Sequence, residues 1–221
     1  MSALPTREGY RLWAAEYDAE TAVSHLENQL VAELQVETSR LRLLDVGCGT
    51  GRRLREVDAE LAIGVDLAEE MLVGTSGHMC VAVADVRALP VASDSFDVVW
   101  CRLMVGHLSD LRVAYRELSR VCRVGGSVIV TDISTSAIAA GHRRTFRDAD
   151  GATREVEHFI HSFARHEADA RAAGLLIERR TEGVVGPSIA SFYRDAGRLA
   201  QYEAQQGLPL VAALLMRKLV A

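Results

Sequence analysis

Five short apolar runs limit what this chain can fold into. Residues 41–46 (LRLLDV), Leu61–Asp66 (LAIGVD), 79–84 (MCVAVA), 96–101 (FDVVWC) and 127–132 (SVIVTD) are rich in Val, Ile and Leu. Each is too short to be a typical helix, and helical patterns separate them. Strands buried on both faces and joined by crossover segments make a parallel sheet, so an α/β architecture is expected. The interval around residues 109–122 shows the helical period. Leu111, Tyr115, Leu118 and Val121 fall on one side, while Arg112, Arg116, Glu117 and Arg120 form a solvated face on the other.

The chain around this middle follows other patterns. Residues 10–37 read as one or two helices with Leu26, Leu30, Ala32 and Leu34 as the apolar set. Residues 145–156 read as a hairpin around Asp148-Ala149-Asp150-Gly151. Ser162 is placed to cap a helix through Ala173, with Gly174 as its stop. Strands are expected at 175–181 and 211–220, with a helical piece near 189–205. No linker or repeat divides the 221 residues, so one domain is expected.

Composition removes several functional classes. With 49% hydrophobic residues the chain is neither disordered nor of low complexity. Thirty acids against 25 bases leave a net charge of −5, the opposite of a nucleic-acid binder. No apolar run approaches the ~20 residues of a membrane span. Met1-Ser2-Ala3-Leu4-Pro5 has no leader pattern. Cys48, Cys80, Cys101 and Cys122 lack metal-site or disulfide-framework spacing. The expectation is a cytoplasmic enzyme, monomer or homodimer, with no membrane, nucleic-acid or metal partner.

The richest motif is Asp45-Val46-Gly47-Cys48-Gly49-Thr50-Gly51-Arg52, directly after the first strand. Gly47, Gly49 and Gly51 allow a sharp turn and a close approach by a ligand. The helix start behind them offers N–H groups to an anionic end. Asp66, closing the second strand, is placed for a ribose diol. Asp85, closing the third, is placed for the exocyclic amine of adenine, with the Val86 N–H on a ring nitrogen. A dinucleotide fingerprint would need glycine at position 52, where this chain has arginine. An acid at position 45 suits a ligand with an ammonium and a sulfonium better than a diphosphate.

These segments (LLDVGCGTGR, GVDLAEEML, ADVRALP, SFDVVWCRLMVGHLSD and VCRVGGSVIVTDI) resemble the successive motifs of class I S-adenosylmethionine-dependent methyltransferases. The resemblance is to the small-molecule branch of type 11 domains that includes the ubiquinone and menaquinone methyltransferases, and it covers about residues 10–134. It implies a Rossmann-like, mostly parallel seven-stranded sheet with helices on both faces and an antiparallel last strand. The implied plan is an N-terminal helical cap (1–40), a cofactor core (41–134), a lid and helix after strand five (135–173) and C-terminal strands (174–221).

The implied cofactor is S-adenosyl-L-methionine, giving S-adenosyl-L-homocysteine, and the implied acceptor is a small organic molecule. By the same resemblance Gly47, Cys48, Gly49 and Gly51 line the methionine part, and Asp66 and Leu67 the ribose. Met71, Asp85 and Val86 would sit at the adenine, with Cys101 and Arg102 beside the ribose and methionine. Tyr17, with Tyr10 and Trp13, belongs to a segment that closes over the cofactor and acceptor; packing of those aromatics on the domain is the other reading. The short stretch from Gly51 to Asp66 departs from the family and implies a clipped helix.

Histidines are the candidate general bases. His107 follows the fourth strand, where the family's acceptor pocket lies, and His161 starts the late helix; both are candidate catalytic and acceptor-binding residues. His158 is a further acceptor candidate, and His166 is expected at the surface. Phe146, Phe159, Phe163, Phe192 and Tyr193 would give the lid an apolar lining, which favours a hydrophobic or aromatic acceptor; the core is their alternative place. A non-catalytic S-adenosylmethionine-binding regulator, an NAD-dependent oxidoreductase and a nucleic-acid or protein methyltransferase stay open as rival readings.

Overall fold

The computed structural model describes residues 3–73 and 79–219. In chain order α1 (Thr6–Trp13) and α2 (Ala22–Glu33) precede β1 (Arg42–Val46), β2 (Leu61–Asp66), α3 (Glu69–Leu72), β3 (Cys80–Val83) and β4 (Phe96–Arg102). Then come α4 (Arg112–Val121), β5 (Cys122–Ile133), α5 (Thr135–Ala139), β6 (Thr145–Arg147), β7 (Thr153–Glu155) and α6 (Phe163–Ala172). β8 (Leu175–Val184), α7 (Ala190–Asp195), α8 (Leu199–Ala204) and β9 (Pro209–Lys218) complete the chain.

Seven strands form one sheet in the order β3-β2-β1-β4-β5-β9-β8. β1 to β5 pair in parallel, and β9 runs antiparallel between β5 and β8. The sheet is therefore the expected one, with the last strand reversed. Successive residues of the central strands alternate between two apolar layers. Leu44, Val99, Val128 and Val130 pack with α4 and α6, while Leu43, Val98, Trp100 and Ile129 pack with α2 and α7. That alternation is the strand period read on a sheet covered on both faces.

Helix ends follow the capping residues. Thr21 accepts from the Ser24 amide and caps α2, and Ser162 accepts from the Arg165 amide and caps α6. Gly174, at φ +76°, ends α6 as expected. Tyr115 and Leu118 of α4, and Leu111 just before it, have no exposed surface, and Arg112 and Arg120 pair with Asp110 and Glu117 outside.

Several expectations need correction. The piece near residues 189–205 is two helices, because Gly197 takes φ +68° between them. α6 packs as a core helix, with Ala170 fully buried in the α4 layer. Val220, the expected end of the last strand, lies outside the described residues. The clipped interval after Gly51 is borne out. Its crossover is a single turn, Arg53–Arg55, and Gly64 of β2 lies so near it that an added Cβ would stand 2.6 Å from Leu54.

The N-terminal segment and the hairpin are stitched together over the sheet edge. Leu4 bridges Val156 in parallel, its amide donating to the Glu155 carbonyl at 2.8 Å. The Phe159 amide donates to the Gly106 carbonyl at 2.7 Å, tying the same segment to the loop after β4. β1 and β4, neighbours in the sheet, have crossovers that leave in opposite directions. Their carboxyl ends mark the switch point where open α/β sheets take ligands.

Candidate active site

A cleft of about 900 Å³ opens at that switch point, walled by the glycine loop, the ends of β2 to β4, and α1. Gly47 and Gly49 line it at φ +77° and +58°. A Cβ on Gly47 would meet Met104 at 2.4 Å, and one on Gly49 would meet the Tyr17 ring at 3.2 Å. Both the backbone angle and the space therefore require glycine at Gly47. Gly51 shares the conformation, at φ +70°, but turns the loop away from the cleft, its amide donating to the Cys48 carbonyl at 3.1 Å.

Asp66 faces the cleft with its carboxylate fixed by backbone, accepting from the Gly49 amide at 2.8 Å and the Ala68 amide at 2.9 Å. Burial raises its pKa, and those amides oppose the rise. Leu67, Met71 and Val86 line the same end. Asp85 lines it too, but its carboxylate is forked onto Arg87 at 2.9 Å, and that pairing holds its pKa low.

Behind Val46 and Gly47 lies Asp45, with no exposed surface and neither carboxylate oxygen hydrogen-bonded among the described residues. Burial pushes its pKa up to about 6, against the pull of Arg53 and Arg102. Arg102 lines the cleft and is gripped by Glu27 of α2, Nε to Oε1 at 2.7 Å and Nη2 to Oε2 at 2.8 Å. Glu27 also accepts from Arg53 at 3.0 Å and Thr131 at 2.9 Å. Burial alone would raise the Glu27 pKa, yet Arg53 and Arg102 bring it down to about 2. Sequence reasoning missed Glu27. The available signal was an acid between Leu26 and Leu30, on the face that the helical period buries.

Among the described residues, His107 is the histidine of the cleft. Its Nδ1–H donates to the Glu157 carbonyl at 3.1 Å, so Nε2 accepts from the Tyr10 hydroxyl at 2.8 Å. Burial sets its pKa well below the ordinary value, which keeps the ring neutral. Burial likewise raises the phenol of Tyr10, another cleft residue.

Other candidates fall elsewhere. Cys101 is fully buried in the α4 layer and reaches no cleft. Cys48 points into the opposite layer, its sulfur against Gly64, and touches a second cavity instead. Trp13 lines that second cavity and stacks on Phe146 at 5.0 Å. His158 is packed onto Gly106, near Asp132 at 3.9 Å, and His161 bonds to the Leu108 carbonyl at 2.8 Å. His166 is not at the surface. It is 5% exposed and bonds to the buried Tyr115 hydroxyl, because α6 turns that face onto α4. Of the lid aromatics, Phe146 and Tyr193 are buried, and Phe163 lies under Arg180.

Known proteins resemble this chain over part of its length. Residues 44–130 match the model of the methyltransferase domain. The matched domain holds the glycine loop, Asp66, Asp85 and His107, and ends within β5. A malonyl-(acyl-carrier protein) O-methyltransferase of Erwinia pyrifoliae is 37% identical over 76% of the chain, which covers 64% of that protein's length. A demethylmenaquinone methyltransferase of Roseiflexus castenholzii is 37% identical over 42% of the chain and 43% of its own. Among solved structures, an S-adenosylmethionine-dependent methyltransferase from Mesorhizobium loti superposes with a TM-score of 0.67, at 20% identity, over 87% of this chain and 97% of that one. That likeness is one of fold.

Proposed function

We propose that the chain transfers a methyl group from S-adenosyl-L-methionine to a small organic acceptor and releases S-adenosyl-L-homocysteine. The observation that carries the reading is the glycine cradle flanked by Asp66, with Asp45 behind it, a carboxylate that accepts no hydrogen bond among the described residues. A buried acid without a partner is costly, and a ligand ammonium is the group that would relieve it. A diphosphate would make Asp45 worse placed, which separates this reading from an NAD enzyme.

Each cleft residue then has a part. Asp66, already oriented by two amides, takes the ribose hydroxyls. Met71 and Val86 flank the adenine. When bound, the sulfonium supplies an activated methyl group, which an acceptor lone pair takes as the sulfur–carbon bond breaks and a neutral thioether leaves. The protein's contribution is to hold the two reactants in line, since oriented pairs reach effective molarities of about 10⁵ M or more. Tyr10 and Tyr17 close the cleft against water. His107 acts as a positioning residue, its Nε2 engaged by Tyr10 rather than by an acceptor. His161, held on a carbonyl, takes no part in the transfer.

Calorimetric titration with S-adenosylhomocysteine, S-adenosylmethionine and NAD tests the reading. The two sulfur nucleotides bind, NAD does not, and Asp66→Ala weakens them at least about tenfold, or about 1.4 kcal/mol. Binding of NAD, or of none of the three, would contradict it.

A further inference from the structure

Beside the cofactor cleft lies a second cavity with an unusual lining. It shares Tyr17 and Leu103 with the cleft, and it reaches the end of β5 at Ile133 and the hairpin at Thr145. Among the described residues five arginines line it (Arg52, Arg53, Arg143, Arg144 and Arg198) and no Asp or Glu does. In a chain of net charge −5 this is a strong local reversal.

Only part of that charge is neutralised nearby. Glu27 pairs with Arg53 at 3.0 Å, and Glu155 stands 4.0 Å from Arg143. Arg52 donates to the Asp18 carbonyl at 3.0 Å. For Arg52, Arg144 and Arg198 no carboxylate lies within 4.0 Å among the described residues. The Nε atoms of Arg53 and Arg144 are both shut off from solvent and lack an acceptor there. Arg144 instead lies over the Tyr10 ring at 5.7 Å, on the partition between the cavities. Its Nε–H is thus held in place without an acceptor among the described residues, the state a planar oxyanion completes. Trp13, Val23, Leu103 and Ile133 give the wall an apolar part, beside the hydroxyls of Thr21, Ser24, Thr50 and Thr145.

We propose that this second cavity is the acceptor site and that it takes an acceptor carrying an oxyanion, a carboxylate or a phosphate, held by Arg144 and Arg198 with an apolar body on Trp13 and Ile133. The inference rests on the methyl-transfer reading and deepens it by naming the acceptor class. It also replaces the expectation drawn from the lid aromatics, since Phe146, Phe159, Phe163, Phe192 and Tyr193 are absent from this lining. Arg144 and Arg198 come from the hairpin approach and from the turn before α8, so only the fold brings them together.

The test is a calorimetric titration of the protein saturated with S-adenosylhomocysteine, using hexanoate, hexyl phosphate and hexylamine as probes. At least one anion binds, at least tenfold more tightly than the amine, and the two anion arms tell a carboxylate site from a phosphate site. Arg198→Gln, an exposed change, and Arg144→Gln each weaken that anion at least fivefold, with retained S-adenosylhomocysteine affinity as the sign of a folded variant. Binding of neither anion, equal binding of the amine, or unchanged anion affinity in both variants would overturn the proposal. Failure of S-adenosylhomocysteine itself to bind would strike instead at the cofactor reading.

Discussion

At Asp45 the cost of function is visible in one side chain. Its pKa rises from the ordinary 3.8 to about 6 because burial outweighs the attraction of Arg53 and Arg102. The folded chain therefore keeps a proton that the unfolded chain releases. Below pH 4 Asp45 carries no penalty; between about 4 and 6 stability falls as pH rises; above 6 the loss is complete, on the order of 3 kcal/mol. Asp45→Asn should raise the unfolding free energy in urea by about 1–3 kcal/mol at pH 7.5 and change little at pH 4. A ligand ammonium stabilises the ionised form, so S-adenosylhomocysteine affinity should climb from pH 5 to pH 7 in the natural chain and stay flat in Asp45→Asn. Parallel pH profiles in the two proteins would remove the ammonium from this account.

Among the elements, the glycine loop and α2 carry most of the site, and they differ in how far the sequence discloses them. Gly47→Ala places a Cβ 2.4 Å from Met104 in a left-handed backbone, so nucleotide binding should fall at least tenfold in a titration while far-ultraviolet circular dichroism persists. The loop was legible because glycine spacing, a preceding strand and a following acid are all local. The parallel strands were legible for the same reason, since burial on both faces leaves unbroken Val and Leu runs. Helix α2 was legible only as apolar. Its Glu27 meets Arg102 and Thr131, 75 and 104 residues away, and no local pattern announces such partners. Glu27→Ala should cost about 3–5 kcal/mol in chemical denaturation, because it strands a buried guanidinium. His166 was misplaced for a related reason. Its helix has charged residues on several sides, so the period gave no strong inward face, and Tyr115 across the α4 layer decides where it points.

For the whole molecule, the sheet order places the two cavities on either side of one partition. Tyr10 and Tyr17 come from the N-terminal segment, Leu103 from the end of β4, and Arg144 from the approach to β6. The Leu4–Val156 bridge and the His107–Glu157 bond join the N-terminal segment, the hairpin and the β4 loop into one cover over the cofactor cleft. None of these contacts is near in sequence, so the cover was foreseeable as an element and unreadable as a set of bonds. A crystal structure of the protein grown with S-adenosylhomocysteine would locate the nucleotide outright. It should show the ribose hydroxyls on Asp66, the adenine between Met71 and Val86, and the amino group at the Gly47–Gly49 loop on the Asp45 side. A nucleotide bound away from Asp66, or with its amino group turned from that loop, would contradict the cofactor reading.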